Sequence, residues 1–301
     1  MPRSAVLRGR IDARDRAQQR RRHDRRPAAE DAAHDELDSW LDDASLADLS
    51  PATVERLDLV RFLRDTGRIA LAPAERLRHL AITLEAAFLE TAPHAVDRVY
   101  VGALRLRPDE AMLWHSRGVS ARCAADVSAD DDVASRWHRL AGRCLHRAWE
   151  LDPHDAGIAY SLGTWHYLSG EGAAPAAPWF ERALALEPEH GNARLYRAHC
   201  LHDQERWLEA VAAYEAVPLA AFEGPRAWLV DVVLEATAHC RLQAGDLAGA
   251  ESAFERLIER LSREPKRALG LRLSYLEEAC RGPLKGALGS EFEALAATLE
   301  L

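Results

Sequence analysis

Histidine is the side chain whose placement in this sequence most suggests chemistry. Thirteen histidines occur, and the tripeptide Ala-His-Cys at residues 198–200 recurs at residues 238–240. His202 follows His199 by three residues, so on a helix both imidazoles lie on one face. Imidazole binds transition metals and changes its charge between pH 5 and 8. The pattern is compatible with a metal site, with a pH-sensitive binding surface, or with amphipathic side chains that bind no metal.

Common catalytic patterns are missing from the sequence. It contains no His-Glu-x-x-His, no Gly-x-Ser-x-Gly and no Gly-Lys-Ser/Thr phosphate loop. Cys144 and His146 are two residues apart, which on a helix turns them away from each other and is poor geometry for a nucleophile and its base. No carboxylate or cysteine obviously completes a metal shell around the histidines. We therefore expect no catalytic residue, no cofactor and no bound metal, and we expect that the chain is not an enzyme.

The composition is that of a folded protein in a reducing compartment. Of 301 residues, 48% are hydrophobic and 29% are charged, and no apolar run is long enough to span a membrane. Five cysteines, an odd number without a Cys-x-x-Cys pair, indicate reduced thiols. The N-terminus has no apolar signal sequence. These features predict a cytoplasmic protein, and the near replacement of lysine by arginine favours a bacterial source with a GC-rich genome.

Charge is distributed unevenly along the chain. The net charge is −9, but residues 1–26 carry +7 and the remainder carries −16. Such a basic arm could bind nucleic acid or an acidic partner through its phosphate-neutralising arginines. However, the arm has no aromatic side chain and is interrupted by aspartates, which favours a solvated, disordered arm. The arginines with the strongest claim to such a role are Arg20, Arg21, Arg22, Arg25 and Arg26.

An apolar pattern recurs five times. Each copy has a small residue, a large apolar residue four positions later and a further small or apolar residue three after that. These spacings place the three side chains on one helical face, and the small residue lets a neighbouring helix approach closely. Three copies continue to a proline, which ends the helix. The copies are Val96-Tyr100-Ala103-Pro108, Ala141-Leu145-Ala148-Pro153, Ala176-Phe180-Ala183-Pro188, Ala210-Tyr214-Val217 and Ala250-Phe254-Leu257, offset by 45, 35, 34 and 40 residues.

A second small residue precedes the last three stripes at a nearly constant spacing. Ala198 and Ala238 lie 12 residues before their stripes, and Gly163 lies 13 before its own. Gly118, four residues after Trp114, lies 23 residues before the stripe of its repeat, which implies about 11 extra residues. We place this insertion at 124–135. The paired spacings predict two helices in each repeat.

These motifs resemble the tetratricopeptide-repeat (TPR) family, in which a helix–turn–helix of 34 residues is repeated. Trp114 with Gly118, Leu162-Gly163, Ala176-Phe180-Ala183-Pro188 and Ala210-Tyr214 carry the resemblance. It implies an all-α, TPR-like helical solenoid (an α–α superhelix) with capping helices at its ends. No alternating strand pattern competes with this prediction.

The resemblance also implies where a ligand binds. In TPR proteins the first helix of each repeat lines a concave groove, and the residue after the small packing residue faces the ligand. Adjacent helices lie about 8–10 Å apart, so His199, His202 and His239 could converge there, and we expect them to be exposed to a partner. The groove residues implied are His115, Tyr160, Thr164, Asn192, Leu195, His199, His202, Glu235 and His239.

The predicted organisation has four parts. Residues 1–35 form the arginine-rich arm, 36–92 form N-terminal helices, 93–262 form the TPR repeats, and 263–301 form capping helices. The last part has a helix over about 265–281, a break at 282–283 and a final helix over about 290–299. The predicted function is a scaffold that binds a protein or peptide segment in the concave groove. The alternative is a nucleic-acid-associated regulator that uses the arm, with the solenoid as its docking platform.

Overall fold

The computed structural model of the chain describes residues 93–169, 172–222, 227–264 and 273–299, together with Arg78, Ala81, Glu85 and Leu89. The predictions for residues 1–35 and, apart from those four residues, for 36–92 lie outside the described residues. Within them the chain forms helices and no strand. The α-helices are α1 (Pro93–Leu106), α2 (Ala111–Val127), α3 (Asp131–Leu151), α4 (Ala156–Leu168), α5 (Ala173–Leu186), α6 (Gly191–Asp203), α7 (Trp207–Glu215), α8 (Trp228–Gln243), α9 (Leu247–Arg263), α10 (Ser274–Arg281) and α11 (Lys285–Leu299).

Proline and capping side chains set the helix ends. Helices α1, α3 and α5 each end two residues before a proline, as the repeated pattern predicts, because the residue before proline disfavours helical geometry. The carboxylate of Asp130 accepts a hydrogen bond from the backbone N–H of Val133 at the start of α3 (2.9 Å). Asp246 does the same for Gly249 in α9 (2.9 Å). Each cap satisfies a donor that the helix itself leaves unpaired.

The apolar stripes form the core. All fifteen side chains of the five predicted stripes are buried, with Val217 the most exposed at 4%. Ala198, Ala210 and Tyr214 belong to one cluster of buried residues, which confirms the pairing of small residues on first and second helices. Gly118 lies against Leu145 of α3, where a Cβ atom at residue 118 would stand 2.7 Å from the Leu145 Cγ. Close helix packing therefore requires glycine there.

The insertion in the first complete repeat lengthens its helices. Helix α2 has 17 residues and α3 has 21, whereas α4 and α5 have 13 and 14. The acidic run at residues 130–132 caps and opens α3, so most of the extra residues are helical. Aspartates in a first helical turn are favoured because the N-terminal end of a helix carries a partial positive charge.

The C-terminal helices differ in extent from their prediction. Helix α10 begins at Ser274, and residues 265–272 lie outside the described residues. The break at 282–283 is confirmed. The last helix begins at Lys285, five residues earlier than predicted, because it accommodates Gly286 and Gly289. A glycine weakens a helix by about 1 kcal/mol without ending it.

The chain divides into two compact units within α4, between Trp165 and His166. In the unit that ends at Trp165, α2 packs against α1 and α3. In the unit that begins at His166, α5 to α9 pack in sequence, α8 contacts α10, and α11 packs against α9 and α10.

Candidate functional site

The predicted groove residues differ in their exposure. His115, Tyr160 and Asn192 are partly exposed. The other six are buried within the chain: Thr164, Leu195, His199, His202, Glu235 and His239. The arginines of the arm, residues 20–26, lie outside the described residues.

In the first unit, a polar contact joins the middle of α4 to the start of α2. The Nε2 atom of His115 lies 2.8 Å from the Ser161 hydroxyl, and the Thr164 hydroxyl donates to the backbone carbonyl of Ser161 (2.9 Å). Burial lowers the pKa of His115 below its usual value, with the Asp155 charge opposing the shift. His115 therefore favours its neutral form at this position, where it links the first helices of two repeats.

In the second unit, two histidines of α6 share one tyrosine. The Tyr214 hydroxyl lies 2.6 Å from His199 Nδ1 and 3.3 Å from His202 Nδ1. Burial raises the pKa of the Tyr214 hydroxyl well above its usual value, so this group keeps its proton. It can donate that proton to one imidazole while accepting a hydrogen bond from the other. Burial, followed by the nearby His202, lowers the pKa of His199 to about 3.

Helix α8 carries a row of polar residues at four-residue spacing, Asp231, Glu235 and His239, which we call the α8 polar row. All three are buried, and so is every residue from 231 to 240. A helix on the surface of a protein leaves one face open. Helix α8 has no open face over this stretch because α7, α9 and α10 pack around it.

Helix α10 covers the α8 polar row through its first turn. The Oε1 atom of Glu235 accepts hydrogen bonds from the backbone N–H groups of Tyr275 (3.1 Å) and Leu276 (3.4 Å). The Tyr275 ring stacks on the His239 ring, with centroids 3.9 Å apart and planes inclined by 22°. His202 also stacks on His239, at 5.1 Å. Aromatic rings and a capping carboxylate thus hold α10 against α6 and α8.

Asp231, the remaining residue of the α8 polar row, is bound by α9, the second helix of the same repeat. The Nε of Arg260 in α9 donates to Asp231 Oδ1 (3.0 Å), and the Asp231 side chain is fully buried. An opposite charge with a hydrogen bond offsets the cost of burying a carboxylate.

The prediction that the three histidines are exposed to a partner is wrong for this structure. Tyr214 covers His199 and His202, and Tyr275 covers His202 and His239. Glu235 is likewise closed off, because α10 places its first backbone amides on the carboxylate. Thr164 is also buried, and Leu195 is a buried member of the apolar core.

Sequence reasoning missed three participants in this site. Tyr214 was assigned only to an apolar stripe, and Asp231 and Tyr275 were not assigned to the groove. The four-residue spacing of Asp231, Glu235 and His239 within an otherwise apolar helix is a signal that could have found the row. No local signal links Tyr275 to it.

Among the residues that the structure describes, no group of three or more His, Cys, Asp or Glu side chains could hold a metal ion. Cys200 and Cys240 are buried core residues, and burial raises the pKa of the Cys240 thiol to about 12. Over the same ranges, no helix has the length and apolar character to cross a membrane.

Comparison with known proteins identifies the fold. No protein-family profile and no curated protein sequence matches the chain. Solved structures do match, with 43 chains found. The structure of pilF from Pseudomonas aeruginosa is 18% identical, with a TM-score of 0.50, and the match covers 72% of this chain and 94% of that one.

Two further solved structures are similar at slightly lower scores. YrrB, described as a TPR protein with an unusual peptide-binding site, is 16% identical with a TM-score of 0.48, over 72% of this chain and 97% of its own. MamA is 17% identical with a TM-score of 0.47, over 58% of this chain and 92% of its own. Helix pairs at the predicted spacing, buried stripes and the match to pilF agree: the chain is an all-α protein with the tetratricopeptide-repeat fold that its sequence resembles.

Proposed function

We propose that this protein is an interaction scaffold that binds a segment of another protein on the faces of its first helices, α2 and α4 in the first unit or α6 and α8 in the second. The observation that carries the proposal is the contact between Glu235 and α10. There a first helix already binds a separate helical segment, through a carboxylate that accepts two backbone N–H groups and an imidazole that stacks on a tyrosine ring. These groups recognise polypeptide.

The composition of the α8 polar row supports a binding role over a purely structural one. Well-packed apolar side chains often stabilise a helix interface as well as buried charges do, or better. Asp231, Glu235 and His239 instead place two carboxyl groups and an imidazole on one buried face. Such groups provide directional hydrogen bonds, which favour one partner over another.

The first unit offers the partly exposed counterpart of this face. Most of α2 is neither fully buried nor fully exposed, and His115 on α2 and Tyr160 on α4 are both partly open to solvent. Tyrosine and histidine join an apolar ring to a polar atom, a combination that suits a peptide-binding surface. We propose that a partner contacts His115 and Tyr160 in this unit. Asn192 on α6 is a separate candidate contact within the second unit.

The proposal also includes a cytoplasmic location and no catalytic activity. No disulfide joins the five cysteines, all of which lie in described residues, and this fits a reducing compartment.

Site-specific photocrosslinking tests the binding face. A photoreactive phenylalanine analogue is placed at residue 115 or 160, and at residue 139 on α3 as the control, because Arg139 is exposed on a second helix. In an extract of the source organism, we expect the same protein to be captured from positions 115 and 160 and not from 139.

Purified components then decide whether the capture is specific. The captured protein should bind the full chain, and His115→Ala with Tyr160→Ala should weaken its affinity at least tenfold. Arg139→Ala should leave the affinity unchanged. If the double substitution on the first helices has no more effect than Arg139→Ala, the first helices are not the binding face.

A further inference from the structure

We propose that α10 is a built-in ligand of the α8 polar row, and that the partner segment for this row is a helix with an aromatic residue in its first turn that displaces α10. This inference rests on the proposed scaffold function and names the kind of partner and its regulation. Without a partner, α10 keeps the row closed. When the partner binds, its helix replaces α10 on the α8 polar row.

The first turn of helix α10 carries its polar and aromatic contacts with α8. It begins at Ser274 with no side-chain cap of its own, since its N-cap position is occupied by Leu273. Glu235 supplies the cap from another helix by accepting the N–H groups of Tyr275 and Leu276. Helix N-termini leave their first backbone donors unpaired, so a carboxylate on the receiving surface can bind the start of any helix placed there.

Two features of α10 favour its detachment, against the burial of five side chains between Leu273 and Cys280. Helix α10 has only eight residues, a length at which an isolated helix is marginal in water. Leu273, the residue that leads into it, has φ of 48° and a left-handed backbone conformation. This conformation is strained for a residue with a Cβ atom, and undocking α10 would release it. The docked position of α10 therefore carries local backbone strain at Leu273, and this strain favours detachment.

The contacts of α10 define what a competing segment must offer. One side of α10 is buried and consists of Tyr275, Leu276, Ala279 and Cys280, while Glu278 is exposed. The Tyr275 ring stacks on the His239 ring, and its centroid lies 5.5 Å from the centroid of the His202 ring. A competitor therefore needs an aromatic ring in its first turn, an aliphatic residue beside it and small residues one turn later.

A peptide supplied in trans tests this exchange on the full chain. The probe is a fluorescent peptide of residues 273–284, with binding followed by fluorescence anisotropy under reducing conditions. A tethered segment competes at an effective concentration that a free peptide cannot match, so the wild-type chain should bind the probe weakly. The Tyr275→Ala chain, whose own α10 has lost its anchoring ring, should bind the probe at least tenfold more tightly.

Two controls keep the result specific. Glu278→Ala alters an exposed position of the same helix, and this chain should bind the probe as weakly as wild type. A probe in which tyrosine is replaced by alanine should not bind the Tyr275→Ala chain. If that chain stays helical by circular dichroism and yet binds the wild-type probe no better than wild type does, the proposal is wrong.

Hydrogen exchange on the unmodified full chain provides an independent readout. If α10 is displaceable, its amides should exchange at least tenfold faster than the buried amides of α8, through local detachment. Equal protection of the two helices would identify α10 as a permanent cap and overturn the proposal.

Light scattering and the crosslinking experiment separate the remaining outcomes. If the Tyr275→Ala chain forms a dimer, the α8 polar row binds a second copy of this chain, and the partner proposed here is excluded. A monomer that binds the probe supports the proposal. A partner captured at positions 115 and 160 without probe binding overturns this inference alone, whereas probe binding with no captured partner overturns the broader function.

Discussion

The side chain of Glu235 in α8 caps the backbone of Tyr275 in α10, forty residues away, through a hydrogen bond of 3.1 Å. The same carboxylate also accepts from Leu276. A buried glutamate therefore serves as the N-terminal cap of a helix that has none of its own. This contact holds α10 against α8 and closes the Glu235 end of the polar row, while α7 and α9 pack on the rest of α8.

Removing the Glu235 carboxylate should destabilise the protein. Glu235→Ala leaves two backbone donors of α10 without this acceptor, and an unsatisfied buried donor costs about 1–3 kcal/mol. Glu235→Gln keeps one carbonyl acceptor and should cost less. The free energy of unfolding in urea measures both losses. Glu255 is exposed on α9, so Glu255→Ala is the control and should stay within about 0.5 kcal/mol of wild type; a comparable loss there would rule out the capping role.

Helix contact at the fourth apolar stripe can be tested with two alanines of one helix. Ala210 of α7 is fully buried beside Ala198, whereas Ala212 of the same helix is exposed. Ala210→Leu should cost about 1–3 kcal/mol because overpacking forces the helices apart, and Ala212→Leu should be nearly neutral. Thermal unfolding followed by circular dichroism compares them. Equal melting temperatures for the two variants would show that the assigned register is wrong.

Equivalent turns of two repeats use different residues in the same left-handed conformation. Glu205 has φ of 61° between α6 and α7, and Gly245 has φ of 85° between α8 and α9. Glycine adopts this conformation without a Cβ clash, whereas glutamate does not. Glu205→Gly should therefore stabilise the protein by up to about 1 kcal/mol, and Gly245→Ala should destabilise it by about 1 kcal/mol. Urea unfolding should show opposite signs for the two changes, and the same sign for both would contradict the strain argument.

Acid should weaken the fold through His199. Burial keeps its imidazole neutral, with a folded-state pKa of about 3 against an ordinary value of 6.5. Below pH 6.5 the unfolded chain binds a proton that the folded chain does not, so stability falls as pH falls, until pH approaches 3. Between pH 7.5 and 5.0 this one group should remove about 2 kcal/mol from the free energy of unfolding.

Substitution isolates that contribution from those of other groups. His199→Asn retains a polar side chain near the Tyr214 hydroxyl but cannot take up the proton. The free energy of unfolding that this variant loses between pH 7.5 and 5.0 should therefore be smaller than the wild-type loss by about 2 kcal/mol. His154 is exposed between α3 and α4, and His154→Asn is the control for replacing a histidine by asparagine. If His199→Asn and wild type lose the same stability between the two pH values, His199 does not carry the effect.

Much of the fold could be predicted because its signals are local. The spacing of Ala176, Phe180 and Ala183 defines one helical face, and Pro188 ends the helix at Leu186 whatever surrounds it. The groove assignment came from the resemblance and located Glu235 and His239 on one face of a first helix. It could not show whether that face is open, because exposure depends on every segment that packs there.

The sequence by itself determined the helical repeats, their stripes and most of their ends, since periodicity and proline act over a few residues. It also placed polar side chains on first helices. Only the tertiary structure decided that α10 lies on α8, that Tyr275 stacks on His239, and that Tyr214 joins His199 to His202. These contacts join residues 12 to 41 positions apart along the chain and depend on how separate helices dock. The physical reason is that burial and hydrogen bonding belong to the assembled helices, whereas helix formation is specified within each one.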